Sequence, residues 1–75
     1  MKQPLRLPAI IERDEDGFVS LCPELDIASQ GSSFEEARAN LVEALSLFFE
    51  TADKSEVDRR FHSEIYVTQV EVPVG

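Results

Sequence analysis

The chain opens with apolar residues at every second position over residues 5–11, the period of a β-strand with one buried face. The acidic run 14–17 follows and predicts a hairpin turn, because an Asp-Gly pair readily adopts the positive φ that such turns require. Residues 18–22 (FVSLC) predict a second strand, which Pro23 ends because proline has no N–H for the ladder. Residues 27–30 predict a short third strand, closed by Gly31.

A long amphipathic helix is predicted from Ser33 to about Ala52. Ser33 and Glu36 form a capping box, in which the serine oxygen accepts an orphan N–H and the glutamate reaches back. Ser32 with Glu35 offers the same pattern one residue earlier, so the sequence allows two adjacent positions for the start of the helix. At 100° per residue one apolar stripe contains Phe34, Ala37, Leu41, Leu45, Phe48 and Ala52, widened by Val42, Ala44 and Phe49.

Three glutamates lie almost opposite this stripe: Glu36, Glu43 and Glu50, here called the acidic ridge. Two residues break the pattern, since Arg38 falls inside the apolar arc and Leu47 falls near the ridge. Arg38 is expected to snorkel from the edge of the core or to pair within its turn. The ridge reads as an ordinary solvated face or as a partner surface, and an apolar anchor among carboxylates suits a basic protein. Glu36, Glu43, Leu47 and Glu50 are therefore the candidate partner-contact residues.

A polar linker is predicted at 53–60, and the β-branched segment after it, 62–74, predicts a final strand. At a sheet edge such a strand can pair with another chain, as far as Pro73 permits. The candidate oligomer residues on it are Ile65, Tyr66, Val67, Val70 and Val72.

The predicted order is β-β-β-α-β, an α+β fold with an antiparallel sheet and one helix on one face. One helix covers only one face of a sheet, yet apolar residues alternate to both sides of the second and final strands. The other face is therefore expected to meet another protein chain.

The 75 residues predict a single domain over 1–75, close to the lower size limit for independent folding, so a homo-oligomer would add stability. The net charge of −8 argues against binding to a phosphate backbone and is compatible with a basic partner. There is no apolar run of membrane-helix length and no signal-peptide pattern. With a single cysteine as well, a cytoplasmic protein is expected.

The residues that suggest chemistry are few. Cys22 as a nucleophile needs a base, and His62 is the only histidine. A small buried apolar residue is the favoured interpretation of Cys22. Asp14, Glu15 and Asp16 suggest a magnesium site for nuclease chemistry, but consecutive turn acids diverge, and a solvated turn is favoured. No catalytic residue, metal or cofactor is predicted.

Three motifs in "IIERDEDGFVSLCPELDIASQGSSFEEARANLVEAL" carry a resemblance to a known family. They are the acidic turn at 11–18, the C-P-E-L loop at 22–25, and the S-x-G and S-x-E-E-A pattern at 29–37. Together they resemble the core of the HicB antitoxins over residues 5 to about 50. The closing "YVTQVEVPVG" is similar to the tail of the short members.

The resemblance implies a partial, degenerate RNase H-like fold and a non-enzymatic function. That function is binding and neutralising a small basic HicA-type toxin, an mRNA interferase, by occlusion. Family members often add a C-terminal DNA-binding domain, which is not expected here. The set of catalytic carboxylates of true RNase H enzymes has no match either. A stand-alone oligomeric scaffold or regulatory binding module without a toxin partner is the alternative. A homo-oligomer, as a dimer or tetramer, is expected with either function.

Overall fold

A computed structural model describes residues 5–61 and 64–75 of the chain. The strands β1 (Ile10–Asp14), β2 (Gly17–Cys22) and β3 (Ile27–Gly31) form an antiparallel sheet in the order β1-β2-β3. Two helices follow, α1 (Phe34–Thr51) and α2 (Lys54–Arg60). The predicted α+β class, with a long helix packed on an antiparallel sheet, is confirmed.

The first hairpin turns at 14–17 as the sequence predicted, but its first strand is shorter than predicted. β1 begins at Ile10 rather than at residue 5, and Pro8, which has no N–H, precedes it. Asp14 pairs with Gly17, which leaves a two-residue loop between the strands. Gly17 has a positive φ of 159°, as the Asp-Gly pair predicted. Glycine is required there because a Cβ atom would lie 2.6 Å from the carbonyl oxygen of Gly31.

α1 crosses one face of the sheet and packs chiefly against β3 and β2. The hydroxyl of Ser20 donates a hydrogen bond of 2.9 Å to the carbonyl of Ala37, which places alternate β2 residues under the helix. The side-chain amide of Asn40 donates to the backbone carbonyl of Gln30 at 2.8 Å. These two bonds fix the position of the helix along the sheet.

The core is small and includes the C-P-E-L loop. Cys22, Leu25 and Leu41 form its buried cluster, which agrees with the interpretation of Cys22 as a buried residue. The backbone N–H groups of Leu25 and Asp26 both donate to the carbonyl of Cys22, at 3.3 and 2.8 Å. Asp26 closes the turn at φ 56°, the left-handed region that aspartate tolerates better than most residues. The loop therefore turns sharply and directs Leu25 inward.

Two predictions for the second half of the chain are wrong. The expected linker at 53–60 contains α2, whose N-cap Asp53 accepts a hydrogen bond of 2.9 Å from the N–H of Glu56. The expected final strand is absent from residues 64–75. These residues form no strand and pair with none of the three strands of the sheet. α2 adds no strand to the sheet, so the position expected for a fourth strand is empty among the described residues.

Candidate functional site

The candidate site is the exposed face of α1, which carries the acidic ridge. Glu36, Glu43 and Glu50 are all exposed, as is Leu47, with 58% of its surface accessible. A spacing of seven residues is close to two helical turns, so the three carboxylates follow one side of α1 over about 21 Å. The structure thus brings all four predicted contact residues to one solvent-facing surface.

Glu36 differs from the other two glutamates because it is part of the helix cap. The hydroxyl of Ser33 accepts the N–H of Glu36 at 3.1 Å, as the capping box requires. The carboxylate of Glu36 accepts the N–H of Ser32 at 2.7 Å and its hydroxyl at 3.1 Å, so the return bond goes one residue further back than predicted. These bonds from Ser32 hold the pKa of Glu36 below its ordinary value and keep it ionised.

The apolar stripe of α1 is only partly covered by the sheet. Ala37 and Leu41 are buried, whereas Phe34, Val42 and Phe49 are exposed. Arg38 is exposed as well, and it lines a groove on this side of the helix. The groove has a volume of about 520 Å³ and is bounded by the chain that leads into β1. Arg38 therefore borders an open apolar surface rather than the core.

The face of the sheet opposite α1 has an apolar patch of its own. Val19 and Leu21 alternate with Ser20 and therefore point away from the helix. Ile10 lies opposite Leu21 in the register and is 38% exposed. No helix of the described residues covers this patch, in agreement with the expected second apolar face.

The candidate chemical groups do not assemble into a reactive centre. Cys22 is fully buried, and His62 lies outside the described residues. Asp14 and Asp16 line a shallow depression that Glu36 also borders. Among residues 5–61 and 64–75, no three His, Cys, Asp or Glu side chains are grouped closely enough to hold a metal ion.

The candidate oligomer residues lie together on the segment 64–75. Tyr66, Val67, Val70 and Val72 are 68–84% exposed, and Ile65 is half-buried. The segment is not an edge strand of its own sheet, so the structure shows no cover for these apolar side chains within the described chain.

Sequence reasoning missed one contact that positions α2. The guanidinium of Arg60 donates to the carbonyl of Leu25 at 3.2 Å and lies over the ring of Phe48, 5.4 Å from its centroid. It joins α2, the C-P-E-L loop and α1. The signal that was available is the Asp53-x-x-Glu56 pattern, a capping box that starts a helix inside the supposed linker.

No helix in the described part of the chain is both long enough and apolar enough to cross a membrane.

The architecture defines a small α+β domain with a capped helix across a three-stranded sheet and with exposed apolar and acidic surfaces. The chain is similar to the UPF0150 protein of Helicobacter pylori (strain J99), with 40% identity over 50 residues. The match covers 65% of this chain and 69% of the relative. No family model matches the chain. The chain belongs to the UPF0150 family, which lies in the HicB-like group that its motifs indicated.

Proposed function

We propose that this protein is the antitoxin of a type II toxin-antitoxin system and that it neutralises a small, basic, RNA-cleaving toxin of the HicA type. The acidic ridge carries the proposal, because Glu43 and Glu50 flank the exposed side chain of Leu47 on a rigid helix. Membership of the UPF0150 family and the HicB-like motifs support it. An acidic surface with an apolar centre is suited to a cationic protein partner.

The mechanism is occlusion rather than catalysis. A toxin that cleaves mRNA needs cationic groups for the RNA phosphates, and the carboxylates of the ridge compete for the same groups. Leu47 then supplies apolar contact that excludes water from the ion pairs. The protein itself performs no reaction in this proposal and acts in the cytoplasm, where the toxin meets its RNA.

The decisive experiment is co-expression with an adjacent gene, which the proposal expects to encode a short basic chain. Rescue of growth together with co-purification is the expected result, and the absence of both contradicts the proposal. In the purified complex, the double variant Glu43→Lys/Glu50→Lys should slow association and reduce its salt dependence. Glu15→Lys/Asp16→Lys at the hairpin tip is the matched control, because it changes the net charge equally at another place.

The role of Leu47 requires a separate variant. Leu47→Asp should mainly speed dissociation of the toxin, because it removes the apolar centre while it leaves a negative surface. Val67→Asp, on the segment 64–75, is the control for adding a charge at an exposed apolar position. If the toxin dissociates from the Leu47 variant and from the wild type at equal rates, the toxin binds a surface that does not include Leu47.

The competing enzymatic hypothesis is a magnesium-dependent nuclease, and it makes a different prediction. RNA cleavage by the purified protein that is lost in Asp14→Asn or Asp16→Asn would support the nuclease and contradict the antitoxin.

A stand-alone scaffold is the second candidate function. The observation that favours it is the exposed apolar segment 64–75, which is suited to self-association. Stable homo-oligomers without any effect on the neighbouring gene product would support this alternative.

A further inference from the structure

We infer that the segment 66–72 of one chain docks in the α1 groove of a second copy, and that the two copies exchange these segments. The groove lies between the residues that lead into β1, Leu5 and Leu7, and the α1 residues Val42, Leu45 and Phe49. No residue of 64–75 lines the groove of its own chain. The proposal does not depend on the proposed antitoxin function.

The shape of the segment fits the groove. In an extended chain the even-numbered side chains point to one side, and these include Tyr66, Val70 and Val72. At about 3.3 Å per residue, residues 66–72 span about 20 Å. The groove side of α1 from Arg38 to Phe49 spans about 17 Å. One extended segment therefore covers the groove along its length.

The charges of the two surfaces are complementary. Arg6 and Arg38 line the groove, two of only seven basic residues in a chain of net charge −8. The segment 64–75 contains Glu64 and Glu71 and no lysine or arginine. Glu71 lies on the odd-numbered side and Glu64 precedes the docked residues, so the attraction to the arginines is one of overall charge and not of a direct ion pair. The same segment would be repelled by the acidic ridge on the other side of α1, and a basic partner would be repelled by the two arginines.

Each chain carries both halves of this contact, and neither half is covered within one chain. Val42 is 51% exposed in the groove, and Tyr66, Val70, Val72 and Val74 are 68–89% exposed. The radius of gyration is 14.7 Å, against about 11 Å for a compact domain of this length. The chain is therefore less compact than a closed domain, and its exposed segment is accessible to a second copy. A closed two-fold pair buries both segments at once.

The first test compares matched variants by light scattering of the purified full chain. Wild type is expected to be dimeric at micromolar concentration, and Val42→Glu and Val70→Asp should weaken dimerisation at least roughly tenfold. Leu47→Glu adds the same charge on the opposite side of α1, and Val67→Asp adds it on the odd-numbered face of the segment. Both should remain dimeric. Circular dichroism checks that each variant is folded.

A monomeric wild type would overturn the inference, and so would equal effects of the Val42 and Leu47 variants. A second measurement distinguishes a segment that docks in the groove of the second copy from one that docks in the groove of its own chain. One chain with Val42→Cys is mixed with a longer, tagged chain with Val70→Cys under oxidising conditions. A mixed disulfide-linked dimer is expected. If the chain that carries both substitutions instead forms an internal disulfide and stays monomeric, the segment occupies its own groove and the inference is wrong.

Discussion

Gly31 lies where the end of β3 meets the first turn of α1, and no larger residue fits there. A Cβ atom would lie 2.4 Å from the backbone nitrogen of Ala37 and 2.7 Å from the carbonyl carbon of Glu36. Because these are backbone atoms, the helix itself must move. We expect Gly31→Ala to lower the free energy of unfolding by roughly 1–3 kcal/mol in urea denaturation. Gly75→Ala, with no atom within 4 Å, is the control and should have no effect.

The cap of α1 makes stability depend on pH through Glu36. Its pKa is lowered in the folded state by the hydrogen bonds from Ser32, so its ionised form stabilises the fold. This contribution is complete above the ordinary glutamate pKa and is lost as the pH falls through the lowered folded value. In Glu36→Gln the difference in unfolding free energy from wild type should therefore shrink in acid. A difference that stays constant with pH, or an equal change in Glu35→Gln, would contradict this role.

Single residues were predictable where the cause is local. Ser33 and Glu36 form a cap because the spacing of three residues brings them together in any helix. The bond from Ser20 to the carbonyl of Ala37 was not predictable, since it joins residues that only the packing of α1 on β2 brings into contact. The close approach of the α1 backbone to Gly31 was not predictable either, because the sequence indicated only that Gly31 ends the third strand.

α2 is a short element that depends on one arginine for its position. Arg60 donates to the carbonyl of Leu25 and lies over the ring of Phe48. We expect Arg60→Ala to cost about 1–2 kcal/mol, the sum of a hydrogen bond and a cation–π contact. Faster hydrogen exchange of the amides at 54–60 should accompany this loss. Arg59→Ala removes the same charge from the last turn of α2 and is the control, with an expected cost below about 0.5 kcal/mol.

Elements were predicted well where periodicity ran long and poorly where it was short. α1 has five turns of amphipathic pattern, and its bounds differ from the prediction by one residue at each end. α2 has only seven residues, too few for a periodic signal, although its Asp53 cap was visible. The β-branched segment 64–75 reads as a strand from its composition. Composition does not supply a sheet partner, and the described chain provides none.

At the scale of the molecule, a small core leaves large apolar surfaces uncovered. The fully buried cluster consists of Cys22, Leu25 and Leu41, whereas one side of α1, one face of the sheet and the segment 64–75 remain open. The sequence already indicated this imbalance, because apolar residues alternated to both faces of the strands while one helix was available. The acidic ridge and the arginine-lined groove lie on different sides of α1. A basic partner and a second copy therefore need not compete for the same surface.

Segment exchange makes the stability of the molecule depend on its concentration. Folding and association are coupled when each chain covers the other's groove, so a tenfold dilution should lower the apparent stability of the dimer by about 1.4 kcal/mol. For a folding unit of two chains this corresponds to a fall in Tm of about 3–6 °C in a thermal scan. Val70→Asp should melt at a lower temperature that does not change on dilution. A wild-type Tm that is constant over a hundredfold range would show that each chain is stable without the other's segment.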